Sequence, residues 1–232
     1  MKIALAQIES ITGDITANIK HHLSWAQKAK TENASMIVFP ELSLTAYEPK
    51  LADELAMDIR DERLNIFQEF ADQNDIIVCP GVPVRTEDGV HIAMIIFRPL
   101  EERMVYFKQI LHEDEFPYFI PGNKEVSWKV GNHTITPAIC YESLQRQHNE
   151  AAKDKGTDIY LASVAKSQKG IDKAYGHFAS ISKQLQMNVL MCNNVGFCDD
   201  FTGAGQSAFW DVNGLLHRNL NGTAEGLLIA EI

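Results

Sequence analysis

The chain predicts an α/β protein with one domain over residues 1–232, and three observations carry that expectation. Short apolar runs rich in Ile, Val and Phe alternate with stretches whose apolar residues recur three and four apart. The 45% hydrophobic content is that of a globular domain. A length of 232 residues suits one sizeable core, since cores grow to roughly 250 residues before chains divide.

Taken in order, Lys2–Ile8 alternates weakly and reads as a first strand. Asp14 stands as an N-cap before Ile15, Ile19, Leu23, Ala26 and Ala29, which share one helical face. Met36–Phe39 is a short buried strand. Leu64, Phe67, Phe70 and Ala71 mark a second helix, and Ile76–Val84 returns as a strand. Glu87-Asp88-Gly89 turns the chain into a strand over His91–Phe97, and Pro99–Glu102 turns it again into Glu102–Phe107. The second half repeats the alternation: strand His133–Ile139, helix 143–155, strand Asp158–Ser163, helix 175–187 and strand Val189–Asn193. Strands Ser207–Val212 and Gly226–Ile232 close the chain. Two β-α-β passes followed by adjacent strands predict mixed strand directions. There is no repeat, linker or low-complexity tract.

Charge and cysteine usage exclude several classes. The net charge of −10, with no basic tract, argues against a nucleic-acid partner, because phosphate binding needs clustered Lys and Arg. Met1–Ile8 is too short for a secretory signal or a spanning segment, so no membrane partner and a cytoplasmic location are expected. Cys79, Cys140, Cys192 and Cys198 form no CxxC pair and are expected reduced. Cys79 and Cys192 lie in apolar runs and read as core fillers. Cys198 falls in a predicted loop, where exposure would make it a rival thiol. His112-Glu113-Asp114-Glu115 points its side chains in different directions, so no metal is expected there, and no motif asks for a cofactor.

Three strand ends carry chemistry. Cys140 closes the strand His133–Ile139 just before a helical pattern, where the Tyr141 N–H can point toward the same space. Pro40-Glu41 ends Met36–Phe39 with a carboxylate, and Glu102–Phe107 delivers Lys108. Ligands of open α/β sheets bind outside the carboxyl ends of strands. A carboxylate to take a proton, a thiolate to attack a carbonyl and an ammonium to hold the oxyanion suit acyl transfer. Read singly, Cys140 is as compatible with an ordinary buried cysteine, and Glu41 and Lys108 with solvated strand ends.

Phe39-Pro-Glu-Leu-Ser-Leu-Thr-Ala-Tyr47, Tyr106-Phe-Lys108 and Ile139-Cys-Tyr-Glu142 resemble the signature blocks of the nitrilase superfamily, the carbon–nitrogen hydrolases. Glu115-Phe-Pro-Tyr-Phe-Ile-Pro-Gly122 is similar to that family's second-glutamate loop, and Asn194-Val-Gly196, Gly205-Gln-Ser207 and Asn213-Gly214 to its C-terminal pattern. The resemblance implies a four-layer α-β-β-α sandwich and a Glu41–Lys108–Cys140 catalytic triad. It further implies that Glu115, not Glu113 or Asp114, is a second functional carboxylate, and that the assembly is a homodimer or larger. Departures occur where Leu161–Lys166 replaces a Pro-Ser/Ala-aromatic stretch and where Ser180–Asn188 lacks an Arg-Ala pair. The chain also ends without the extension that often joins such dimers.

The expected activity is hydrolysis of a small linear amide to carboxylate and ammonia through a thioester on Cys140. Amide is preferred to nitrile because Cys140-Tyr-Glu resembles amidase branches, whereas nitrilases proper usually carry Trp after the cysteine. Carbamoyl-amine hydrolysis, a non-catalytic scaffold and acyl transfer to an amine remain alternatives. Tyr47, Phe116, Tyr118 and Phe119 either wall the pocket or pack the loops. Ser163, Lys166 and Phe197, at or beyond strand ends, are further candidates for substrate contact.

Overall fold

The computed structural model describes residues 1–232. β1 (Lys2–Gln7) turns Ile3 and Leu5 to one face and Ala4 and Ala6 to the other, the period-2 alternation of a strand buried on both sides. α1 (Ile15–Thr31) starts where Asp14 accepts the Ala17 N–H at 2.9 Å. β2 (Met36–Val38), the single-turn α2 (Ala52–Leu55) and α3 (Asn65–Asn74) follow. The strand expected over Ile76–Val84 bends at Pro80 into β3 (Ile77–Cys79) and β4 (Gly81–Arg85). Both halves lie along β5 (Val90–Ile96), and the Pro80 carbonyl accepts the Ile95 N–H at the bend. β6 (Met104–Phe107) pairs antiparallel with β5. β15 (Gly226–Glu231) is antiparallel on β1, and β1, β2 and β3 are parallel; this four-stranded sheet, joined by the Val78–Phe97 bridge to the three strands β4, β5 and β6, makes the first layer of strands, called the first sheet below.

The second sheet runs β14 (Leu216–Asn219), β13 (Ala208–Trp210), β10 (Asn188–Asn193), β9 (Ile159–Val164), β8 (His133–Ile139), β7 (Trp128–Val130), with β8, β9 and β10 parallel. A hairpin of β11 (Val195–Cys198) and β12 (Phe201–Ala204) stands beside it. α1 and α3 pack Ile19, Trp25, Phe67 and Ala71 on the outer face of the first sheet. α4 (Arg146–Asp154) and α5 (Gln168–Leu185) pack Ala152, Phe178 and Ile181 on that of the second. Between the sheets lie Ile3, Leu5, Met94, Ile139, Leu161 and Leu190. The result is the α-β-β-α sandwich, with the parallel strands of both sheets ending at Glu41 and Cys140.

Some expectations need correction. The helix over 143–155 is a 3-10 turn, Cys140–Leu144, broken at Gln145 (ψ 120°) before α4. α5 begins seven residues ahead of the expected start at 175, because Gly170 and Gly176 obscure its periodicity. The short or exposed β7, β14, β11 and β12 lack an alternation to announce them. Cys198 is not exposed in a loop; it ends β11, is 3% exposed and accepts from Asn194 Nδ2 at 2.6 Å.

Candidate active site

Two local devices put Glu41 in place. After β2 the chain turns through Pro40–Leu42, with Leu42 at φ 51°. The turn packs so closely on Gly81 that a Cβ there would stand 2.4 Å from the Pro40 carbonyl oxygen and 2.6 Å from the Leu42 nitrogen. From the other sheet, the Ser163 hydroxyl donates to the Phe39 carbonyl at 2.8 Å. Ser163, 1% exposed, thereby ties the second sheet to the Glu41 turn.

Lys108 leaves β6 with its backbone N–H on the Ile92 carbonyl, and its own carbonyl accepts the Gly122 N–H at 2.7 Å. The side chain is fully buried. Its Nζ donates to Glu41 Oε1 at 2.7 Å and to Glu115 Oε1 at 2.6 Å. Glu115 sits in the 3-10 turn Glu113–Glu115, where it alone of the three acids turns inward. Its Oε1 also accepts the Tyr47 hydroxyl at 3.0 Å, and its Oε2 accepts the His112 N–H at 2.7 Å. Glu41 Oε2 has no partner although it is buried.

Cys140 terminates β8 at φ 48°, a left-handed conformation unusual for a residue with a side chain. Strain of this kind, of order 1–3 kcal/mol, persists only where surroundings over-determine it. Here the Ser143 hydroxyl donates to the Cys140 carbonyl at 2.6 Å, and Glu142 clamps the turn from below. Glu142 accepts the N–H of Ile139 (2.6 Å), Gln109 (2.6 Å) and Ile110 (3.2 Å) and the Tyr106 hydroxyl (2.7 Å). One buried carboxylate thus holds both the segment leaving Lys108 and the strand entering Cys140. Sequence reasoning assigned Glu142 no role; the available signal was its place three residues after Ile139 in the Cys-Tyr-Glu block. A cavity of about 300 Å³ lined by Tyr106, Gln109, Thr136 and His148 lies beside this clamp.

The remaining predicted residues divide. Tyr141 follows Cys140 in the 3-10 turn, where N–H groups precede the first intrahelical bonds. The Lys166 Nζ lies 3.5 Å from Cys140 Sγ. Phe119 is 2% exposed and packs in the core between the sheets. Tyr118, Phe116 and Phe197 are exposed.

Burial shapes the charges. It pushes the Glu41 carboxyl up to about 7, with Lys108 pulling it down and Glu115 adding to the rise. Burial alone would lower the Lys108 ammonium, but Glu41 and Glu115 outweigh it and hold the group above its ordinary value. The Cys140 thiol is pushed up to about 11 by burial, with Glu41 reinforcing and Lys166 and Lys108 opposing. An ammonium has three donors, and two of those of Lys108 are committed to carboxylates, which leaves one for an incoming oxygen.

A thiol at a strained strand end beside a buried carboxylate–ammonium–carboxylate cluster, on this sandwich, defines a class of thiol hydrolase. The carbon–nitrogen hydrolase family model matches residues 2–232, and the chain belongs to that family and is a carbon–nitrogen hydrolase. It is 28% identical over 219 residues to the glutamine-dependent NAD(+) synthetase of Acinetobacter baylyi, covering 89% of this chain and 39% of that protein. The chain therefore spans about two fifths of that curated relative's length. It is 25% identical over 236 residues to the 2-oxoglutaramate amidase of Bacillus subtilis, covering 99% of this chain and 90% of that one. The solved NitN amidase of Nesterenkonia sp. AN1 superposes with a TM-score of 0.91 at 19% identity, over 100% of this chain and 92% of that one, a likeness of fold. No helix is long and apolar enough to cross a membrane.

Proposed function

We propose that the protein hydrolyses the primary amide of a small linear substrate to a carboxylate and ammonia, with Glu41, Lys108 and Cys140 as the reacting groups. The observation that carries this reading is Glu41 itself: one oxygen fixed on Lys108, the other buried and free to accept a proton. Glu41 Oε2 takes the thiol proton, and the thiolate sulfur attacks the amide carbon. The free Lys108 donor and the Tyr141 N–H hold the oxyanion. Glu41 returns the proton to the amide nitrogen, the C–N bond breaks, and ammonia leaves a thioester on Cys140. Glu41 then takes a proton from water as it attacks the thioester, and the acid departs as the thiol re-forms. Glu115 keeps Lys108 charged and orients it, and Tyr47 steadies Glu115.

An ω-amide bearing a carboxylate is the favoured substrate class, supported by the relatives named for glutamine and 2-oxoglutaramate. The test is ammonia release from a panel of ω-amides, simple aliphatic amides, carbamoyl amines and nitriles, with C140A as control. Turnover of ω-amides above the rest supports the reading. Turnover of nitriles or carbamoyl amines alone would reassign the substrate, and release unaffected by C140A would refute the mechanism.

A further inference from the structure

We propose that Lys166 is the counterion of the Cys140 thiolate, a second ammonium acting directly on the reacting sulfur. Its backbone is held on both sides: the N–H donates to Asn193 Oδ1 at 2.8 Å, and the carbonyl accepts from Asn193 Nδ2 at 3.1 Å and from the Ala204 N–H at 2.9 Å. The residue is only 7% exposed. Gly170, in the first turn of α5, lies against its stem, where a Cβ would come 3.1 Å from that of Lys166. From this seat Nζ reaches Cys140 Sγ and the Cys140 carbonyl oxygen, each at 3.5 Å.

The ion pairs of the site all belong to Lys108, and no carboxylate pairs with Lys166. A buried ammonium without an anion is costly. The atom beside it that acquires negative charge in the reaction is Cys140 Sγ. Lys108 cannot fully serve that sulfur. When the thiol S–H bond breaks and an O–H bond forms on Glu41, Lys108 is still paired with Glu115, and that pair is neutral. The thiolate then needs a cation of its own. The Cys140 thiol donates to the Ala165 carbonyl at 3.7 Å, and the titratable groups that act on it are Glu41, Glu115, Lys108, Lys166 and Tyr47; the two carboxylates raise the thiol and the two ammoniums lower it, Lys166 more than Lys108. The roles divide accordingly: Lys108 serves the substrate oxygen and Lys166 the sulfur.

The inference rests on Cys140 being the nucleophile, so the experiment separates the two. Iodoacetamide alkylation is followed by peptide mapping from pH 6 to 11 in the wild type, K166M, K166Q and K166R, alongside thermal melting and amide turnover. In the wild type the label must fall on Cys140; label elsewhere defeats the nucleophile assignment itself. With the Cys140 thiol pushed up to about 11, this range reads the rising limb of alkylation, which in K166M and K166Q should move at least about 1 pH unit higher, the low end for removing an adjacent opposite charge. The alkylation rate at pH 7 should fall about tenfold, and K166R should stay near the wild type. K166M should melt no lower than the wild type, because it removes an unpaired buried charge. An unchanged alkylation profile with a raised KM would make Lys166 a substrate anchor and overturn the proposal. Failure of K166M and K166Q alike to fold would make the ammonium a structural tie to the Cys140 carbonyl, and would overturn it too.

Discussion

Lys108 binds Glu41 through one carboxylate oxygen, at 2.7 Å, and the other oxygen of Glu41 is buried without a partner. The relationship makes Glu41 both charged by its neighbour and available to a proton. With burial pushing that carboxyl up to about 7, it is poised to accept and return a proton near neutrality.

The pH dependence follows from that sign. Glu41 must be deprotonated to take the thiol proton, and a raised carboxyl is protonated below about 7. The kcat/KM for an amide should therefore fall on the acid side with an apparent pKa near 7 that belongs to the cluster as a whole. An acid limb near pH 4.5, the ordinary carboxyl value, would show that burial does not raise the carboxyl of Glu41 in the working enzyme. Glu41→Gln should cost ~10²–10⁴-fold in rate, the range for losing a positioned acid–base group.

Cys140 should be alkylated before the other three cysteines. Cys79, Cys192 and Cys198 are all buried, at 0%, 0% and 3% exposure, and Cys140 alone is partly open. Peptide mapping after limited iodoacetamide treatment reads this directly. Label appearing first on Cys198 would count against the assignment. Cys140→Ala should remove turnover and leave the melting profile close to the wild type.

Glu115→Gln should lower kcat by at least ~10²-fold, because it removes one of the two anions that hold Lys108 charged and in place. Glu113→Gln and Asp114→Asn act on exposed side chains and should change kcat little. Three equal, small effects would mean that the inward turn of Glu115 has no bearing on the reaction.

Glu142→Ala should destabilise the fold and the site together. It leaves the N–H groups of Ile139, Gln109 and Ile110 and the Tyr106 hydroxyl without their acceptor. At roughly 1–3 kcal/mol for each buried donor left unpaired, the loss should exceed about 3 kcal/mol. Urea denaturation measures this, and kcat should fall in whatever fraction remains folded. A variant as stable and active as the wild type would show that the clamp does not hold Lys108 and Cys140 in register.

Sequence by itself determined the elements whose periodicity is strong and which residues stand at their ends. β1, α1 with its Asp14 cap, and β8 follow from local pattern, because a strand buried on both faces or a helix buried on one must carry its apolar residues at a fixed period. Glu41, Lys108 and Cys140 were visible as strand-end residues, and the family blocks joined them. What tertiary structure decided is whatever depends on packing between segments far apart in the chain. No local pattern says that Pro80 bends one strand along β5, or that Cys198 is covered. None says that Ser163 reaches the Phe39 carbonyl across 124 positions. The same holds for Glu142 and Lys166. A carboxylate that accepts four hydrogen bonds and an ammonium aimed at a sulfur look, along the chain, like any other Glu and Lys. Their roles come from the low-dielectric interior that surrounds them once two sheets close face to face, where each unpaired donor or charge carries a cost that water would have removed.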